Sequence, residues 1–225
     1  IENNFNPLYK FFGNPDLTPE KSDNYFVMLG SHDFTKATSF FAMVRFSNST
    51  NAIVVNRTID DDYVRTSTYE NYGDKSNLNA WLSYSRKIEN ISLRYNIRLG
   101  GSINDYTTII DGAYNDTNSK SSNISISFSN ENKNKVDINI GAKFDINKTT
   151  YSLQGQDRDF LSQNYFTKFD WDITNSLTFN TQFDYTLYTD NNFDSQNIPI
   201  WNMALEYAFL KGKRGNLKFQ VFDIL

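Results

Sequence analysis

The chain of 225 residues carries a formal charge of −4, contains no cysteine and has a mean hydropathy of −0.58. Without cysteine there is no disulfide framework, zinc–thiolate site or cysteine nucleophile. No run of 18 apolar residues is present, which argues against a transmembrane helix, and the mixed charge has no long basic block, so no nucleic-acid partner is expected. Aromatic residues nevertheless reach 16%, and Asn, Ser and Thr are abundant. A strand that separates an apolar medium from a wet interior is polar at every second residue, so low hydropathy does not exclude the membrane.

In chain order, the first 22 residues form a polar, proline-containing lead-in. Period-two alternation then predicts strands near 23–34, 38–50, 75–87, 91–99, 122–130, 136–146, 163–174, 177–187, 198–210 and 216–224, about ten in all. Three are clean. Ile91, Leu93, Tyr95, Ile97 and Leu99 oppose Ser92, Arg94, Asn96 and Arg98. Val136, Ile138, Ile140, Ala142, Phe144 and Ile146 oppose Asp137, Asn139, Gly141, Lys143, Asp145 and Asn147. Leu177, Phe179, Thr181, Phe183, Tyr185 and Leu187 oppose Thr178, Asn180, Gln182, Asp184 and Thr186. No segment offers an amphipathic helix of ten residues.

Short polar connectors (35–37, 87–90, 130–135, 174–176, 211–216) alternate with longer polar segments (51–74, 103–121, 148–162, 189–197). Tight turns on one side and long loops on the other are the asymmetry of an outer-membrane barrel. It assigns the strands near 23–34, 75–87, 122–130, 163–174 and 198–210 as running inward and the other five outward. The predicted fold is therefore all-β, an antiparallel transmembrane β-barrel. Closure would satisfy every backbone polar group in hydrocarbon. No strand reads as terminal, so residues 1–225 are expected to be one partial barrel domain, an arc of a larger barrel with 1–22 as a loop segment leading into the first strand.

Two stretches carry a resemblance. Gly13-Asn14-Pro15-Asp16-Leu17-Thr18-Pro19-Glu20, preceded by Asn6-Pro7-Leu8-Tyr9, resembles the "GNPxLxPE" segment of TonB-dependent outer-membrane receptors, where a loop enters a barrel strand. Trp201-Asn202, then Phe209 to Lys218 with Gly215, and Val221-Phe222-Asp223-Ile224-Leu225 resemble that group's C-terminal "WN…FLKxxRGxLKxxVFDLLN" signature. Asn51-Ala52-Ile53-Val54 is similar, more weakly, to a segment after the second of these strands. The resemblance implies a 22-stranded barrel of which this chain would supply roughly strands 11 to 20, with two strands to follow. It also implies a plug domain and a TonB box upstream.

Asp60, Asp61 and Asp62 lie in the longest predicted loop and could offer oxygen ligands to Ca²⁺, but three consecutive carboxylates lack EF-hand spacing, and a solvated loop is the expectation. Inward-facing Arg94, Arg98, Lys143, Asp145, Lys168, Asp170 and Asp172 could contact a plug or line a solute path, although a hydrated lumen with paired charges explains any one of them. Trp171, Trp201, Tyr185, Tyr188 and Tyr207 are girdle candidates, and Tyr114 is a candidate for ligand stacking. His32, the only histidine, has no serine–acid constellation beside it. Gly100-Gly101 reads as a strand bend. Neither a cofactor nor enzymatic activity is expected.

The expected location is the outer membrane of a Gram-negative cell, with membrane lipid and lipopolysaccharide around the barrel. By resemblance, the expected function is TonB-dependent uptake through a plugged barrel, with the plug and TonB as partners. The alternative is a structural or scaffold barrel within a surface or export complex, for instance beside surface lipoproteins. A soluble β-rich binding protein is a third reading.

Overall fold

A computed structural model describes residues 8–153, 157–210, 212 and 214–225. Asn6 and Pro7 of the first motif and Lys211 and Lys213 of the second lie outside the described residues. Thirteen strands form one sheet. They are β1 (Tyr9–Phe11), β2 (Lys21–Asp33), β3 (Thr38–Thr50), β4 (Ile53–Ile59), β5 (Arg65–Asn71), β6 (Asp74–Ile88), β7 (Leu93–Ile110), β8 (Ala113–Asn130), β9 (Val136–Tyr151), β10 (Arg158–Thr174), β11 (Leu177–Asp190), β12 (Gln196–Phe209) and β13 (Gly215–Val221). Among the described residues the only helical element is a single 3₁₀ turn, Glu89–Ile91.

The ten predicted strands are the nine of 13–18 residues and the seven-residue β13. They pair as an antiparallel meander, β2–β3–β6–β7–β8–β9–β10–β11–β12–β13. Within the described residues this sheet does not close; β2 and β13 are the edges of the meander, and β1, paired only with β5, is a third. It is also not purely antiparallel: β1 runs parallel to β5, and β4 pairs parallel with the far end of β7. Strand alternation could not reveal those contacts, because they lie in segments that read as loop.

Cross-strand register puts like on like. Val44, Ala80 and Gly101 share one row, and Ala42, Leu82, Leu99, Ile124 and Phe144 share the next. Farther along the sheet, Thr167, Phe183 and Trp201 align, as do Phe179, Leu205 and Phe219. These rows make one apolar face that no second layer covers; Ile140, Phe183, Leu205 and Phe219 all stay exposed. A soluble sandwich would bury such a face against another sheet, whereas a barrel turns it to lipid. The opposite face carries Asn, Ser, Thr and charges and is the inner wall.

Two expectations about the loops change. The segment 103–121 is almost wholly strand: β7 and β8 run 18 residues each and meet at a two-residue turn, Asp111-Gly112, with φ of 48° and 77°. Two consecutive positive φ values make the tight primed turn whose twist matches the strands, and Asp-Gly suits it. The segment 51–74 is a β4–β5 hairpin rather than a solvated loop. The asymmetry between the rims therefore lies less in loop length than in strand length. A strand needs about 9–11 residues to cross a bilayer, so strands of 14–18 residues project beyond it. On β9 the apolar face ends at Ile146, and Lys148 and Thr150 continue it as polar surface on the rim that carries the hairpin.

Gly100-Gly101 is not a site where pairing breaks; both ladders of β7 run through it in register. A side chain at Gly100 would collide with the Asn123 amide. Similarly, Gly141 lies under the Phe166 ring and Gly215 under the Phe209 ring.

Candidate functional site: a clasped rim above the inner wall

The buried apolar cluster of the described residues is not in the sheet centre. It is at the hairpin rim, where Ala52, Val54 and Ile109 are 0%, 5% and 3% exposed. The β-branched run Ile53-Val54-Val55 favours a strand, and β4 lays it against the projecting end of β7. Asp111 N–H donates to the Arg57 carbonyl at 2.8 Å, and Ile59 N–H donates to Asp111 Oδ1 at 2.9 Å. On the hairpin's other edge, Phe11 of β1 meets Tyr69 edge-on with ring centroids 5.4 Å apart.

The first motif clasps this assembly. Asn14 Oδ1 accepts the Asp16 N–H at 2.9 Å, closing a side-chain turn, while Asn14 Nδ2 donates to the Tyr69 carbonyl at 2.9 Å. Pro15 and Leu17 carry the chain on to Thr18, whose N–H donates to Asn71 Oδ1 at 2.7 Å; Asn71 Nδ2 donates back to the Thr18 carbonyl at 2.9 Å. Asn51, held at φ 55°, donates to Thr18 Oγ1 at 2.8 Å and to the Pro19 carbonyl at 3.2 Å. Glu20 Oε2 accepts the Ile53 N–H at 2.9 Å and Lys75 Nζ at 2.8 Å. These two donors, Lys75 foremost, hold the Glu20 carboxyl below its usual range. Sequence had linked Gly13–Glu20 with Asn51–Val54 only as two family-like segments; in space they are one device. It missed Asn71 and Lys75, which carry no periodic or motif signal. At Gly13 nothing lies where a side chain would be placed, and the structure gives no reason for glycine there.

The C-terminal motif is a second clasp. The segment after β13 turns back at Asp223, φ 49°, so that its N–H donates to Asn202 Oδ1 at 3.0 Å and the Ile224 N–H donates to the Trp201 carbonyl at 3.0 Å. Trp201 faces the apolar side, and its indole N–H donates to Thr181 Oγ1 at 2.8 Å, so the ring carries no unsatisfied donor into lipid. Phe222 is exposed.

The remaining candidates separate. Asp60 Oδ1 caps the β4–β5 turn by accepting the N–H groups of Val64 at 2.8 Å and Asp62 at 3.1 Å. Asp61 and Asp62 are exposed, and among the described residues no three acidic, histidine or cysteine side chains converge to hold a metal. His32 packs edge-on against Phe34 at 4.3 Å on the opposite rim. Arg94 ties three turns of that rim together: Nε pairs with Glu131 at 2.6 Å, and Nη1 reaches the Ala37 carbonyl at 3.3 Å and Ser85 Oγ at 3.1 Å. The Arg94 guanidinium holds the Glu131 carboxyl below its usual range.

On the inner wall, Lys143 sits 5.3 Å from the Phe166 ring centre, Lys168 lies 3.9 Å from Asp170, and Asp172 accepts from Thr178 at 2.7 Å. Among the described residues, neither Arg98 nor Asp145 has a side-chain hydrogen bond or ion pair. Trp171, Tyr185 and Tyr207 lie on the apolar face. Tyr188 does not: in register it falls on the inner face and stacks on Phe160 at 5.8 Å, because it is odd by one against Tyr185 and Leu187. Tyr114 stacks on Tyr72 at 4.1 Å, so one of its faces is occupied by the clasped rim.

An uncovered apolar face, a polar wall behind it and strands long enough to overshoot a bilayer define an outer-membrane β-barrel protein. The sequence pattern of the Outer membrane protein beta-barrel family matches residues 1–168, and the chain belongs to that family. The match takes in the hairpin rim and ends within β10, short of the second clasp. No curated protein matches the chain.

Proposed function

We propose that this barrel wall belongs to a TonB-dependent receptor that imports a solute across the outer membrane, with the hairpin rim outside the cell. The observation that supports this reading most is the clasp itself. The residues that resemble the receptors' loop-to-strand segment, Asn14 to Glu20, converge on Asn51 and Ile53 and fix a structured platform at the mouth of a polar-walled barrel. Fixing a loop before the ligand arrives removes its ordering cost from binding, which suits capture more than passive diffusion. In this reading a plug fills the lumen, and TonB acts on the plug.

The full-length protein, expressed in outer membranes, tests this. Co-purification with the periplasmic domain of TonB, together with solute uptake that a protonophore abolishes, is the expected outcome. Uptake indifferent to the protonophore would sink it. Stoichiometric recovery with surface lipoproteins or export components, with neither TonB contact nor uptake, would establish the scaffold reading instead.

A further inference from the structure

The inner wall is divided by charge. Along β2, β3, β6, β7 and β8, register places Arg45, Lys75, Lys87, Arg94 and Arg98 on the inner face, and every carboxylate of these strands (Asp23, Asp33, Asp74, Asp105 and Asp116) on the outer face. From β9 onward the inner face mixes signs, with Lys143, Asp145, Lys168, Asp170, Glu206 and Lys218. Within the basic half, Lys75, Lys87 and Arg94 are neutralised by glutamates reaching in from connections, Glu20, Glu89 and Glu131. Arg45 and Arg98 have no ion-pair partner among the described residues; Arg45 donates only to the Asn24 amide at 3.2 Å.

Between those two arginines lies Trp81, 40% exposed, with the Phe41 ring at 5.1 Å and a glycine, Gly100, as its cross-strand neighbour. Toward the clasped rim an amide relay follows. Asn79 donates to Asn77, Asn77 donates to Asn104, Asn104 Nδ2 donates to Ser102 Oγ at 3.4 Å, and Ser102 lies 2.8 Å from Ser121. Each amide has two donors and an acceptor oxygen with two lone pairs, so a relay that uses one of each orients the plane and leaves the others free. Above it, Ser47, Lys75, Asn77, Asn104 and Tyr106, with Ser76 and Asp105 of the outer face at its margin, line a 210 Å³ pocket. From the level of Trp81 to that of Lys75 and Tyr106 is six residues, about 20 Å along the strand.

We propose that this inner face of β3, β6 and β7 binds an acidic oligosaccharide. The exposed indole offers a face to a sugar ring, the oriented amides pair with hydroxyls, and Arg45 and Arg98 supply unpaired positive charge for carboxylate or sulfate on strands whose own carboxylates all lie on the outer face. This rests on the uptake reading and names its substrate class.

The test uses the full-length protein in detergent and four probes: an oligogalacturonate, a heparin-derived hexasaccharide, maltohexaose and ferric citrate. Calorimetry should show an acidic sugar bound and maltohexaose at least tenfold weaker. Binding of the oligogalacturonate assigns carboxylate recognition, and binding of the heparin hexasaccharide, which carries both groups, without binding of the oligogalacturonate assigns sulfate. Affinity should fall as salt rises, because the charges sit in a hydrated lumen, and this measurement needs no variant. Arg45→Gln and Arg98→Gln should each weaken binding roughly tenfold, Asn77→Ala should weaken it less, and Lys143→Gln should leave it unchanged. Preferential binding of maltohexaose or of ferric citrate, no binding of any probe, or equal losses at Lys143 and Arg45 would each overturn the proposal. Binding of ferric citrate with energised uptake would leave the transporter standing without its sugar. Binding of an acidic sugar without uptake would do the reverse.

Discussion

Glu20 and Lys75 are 55 residues apart in the chain and form an ion pair of 2.8 Å, with side chains 19% and 41% exposed. The same carboxylate oxygen accepts the Ile53 N–H, so one atom joins the segment before β2, the start of the hairpin and the start of β6. Removing it as Glu20→Ala strands the Ile53 donor in a part-buried place. Hydrogen bonds to charged groups contribute about 1.5–3 kcal/mol. Amide exchange at Ile53, and tryptic cleavage after Arg57 and Arg65, should therefore accelerate roughly 10-fold or more, while the spanning strands keep their protection. Glu20→Gln, which retains one acceptor, should fall between. Equal protection in all three proteins would remove the clasp from the account.

The same carboxyl gives the rim a pH dependence. Its folded pKa lies below the unfolded one, because Lys75 and the Ile53 N–H favour the charged form. A group of this kind contributes stability that is present above its unfolded pKa and is lost as pH falls through the folded value. Glu131 is shifted in the same direction by Arg94 on the other rim. Amide exchange in both rims, corrected for its intrinsic pH dependence, should be flat from neutrality to about pH 5 and should rise below about pH 4.3, the ordinary Glu range. Glu20→Gln should abolish the acid response at Ile53 and leave that at the Arg94–Glu131 rim. A response at Ile53 that persists in the variant would assign it to another group.

Much of this fold was legible because a membrane barrel repeats one rule. The alternation from Val136 to Ile146 needs only a lipid on one side and water on the other, and register then carries it across neighbouring strands. What the rule could not reach was structure made by unlike segments. Asn71 and Lys75 matter because Thr18 and Glu20 come to them from 53 and 55 residues away. Tyr188 was misplaced because aromatic content, not parity, selected it. The Asp111-Gly112 turn was readable in principle, but the polar residues around it suggested a loop. They are polar because β7 and β8 there stand clear of the apolar belt.

That turn makes a local prediction. Gly112 holds φ 77°, a region where a β-branched side chain is strained. Gly112→Val should destabilise the β7–β8 hairpin by about 1–3 kcal/mol. The effect should appear as a lower urea midpoint for the folded, heat-modifiable band on gels. Gly112→Asn, a residue that tolerates the left-handed region, should recover most of it. If valine is as well tolerated as asparagine, the positive φ is not a constraint at this turn.

The assignment of faces is tested by placing one charge on each. Ile140 lies in the middle of the apolar stripe of β9, exposed and flanked in register by Phe128 and Thr167. Gln182 lies on the inner face of β11, its amide donating to Asp184 at 2.7 Å. An arginine on the lipid face near the bilayer midplane costs about 2–4 kcal/mol, because its hydration is lost and no partner replaces it. The same residue in a hydrated lumen beside a carboxylate loses little. Ile140→Arg should therefore lower folding stability in lipid vesicles by that amount, and Gln182→Arg should change it by less than about 0.5 kcal/mol. In the detergent-free aqueous phase neither protein should be soluble. If the two costs come out reversed, the wall has been turned inside out and the basic sector of β2–β8 faces lipid. If both are negligible, the apolar stripe does not contact a bilayer at Ile140.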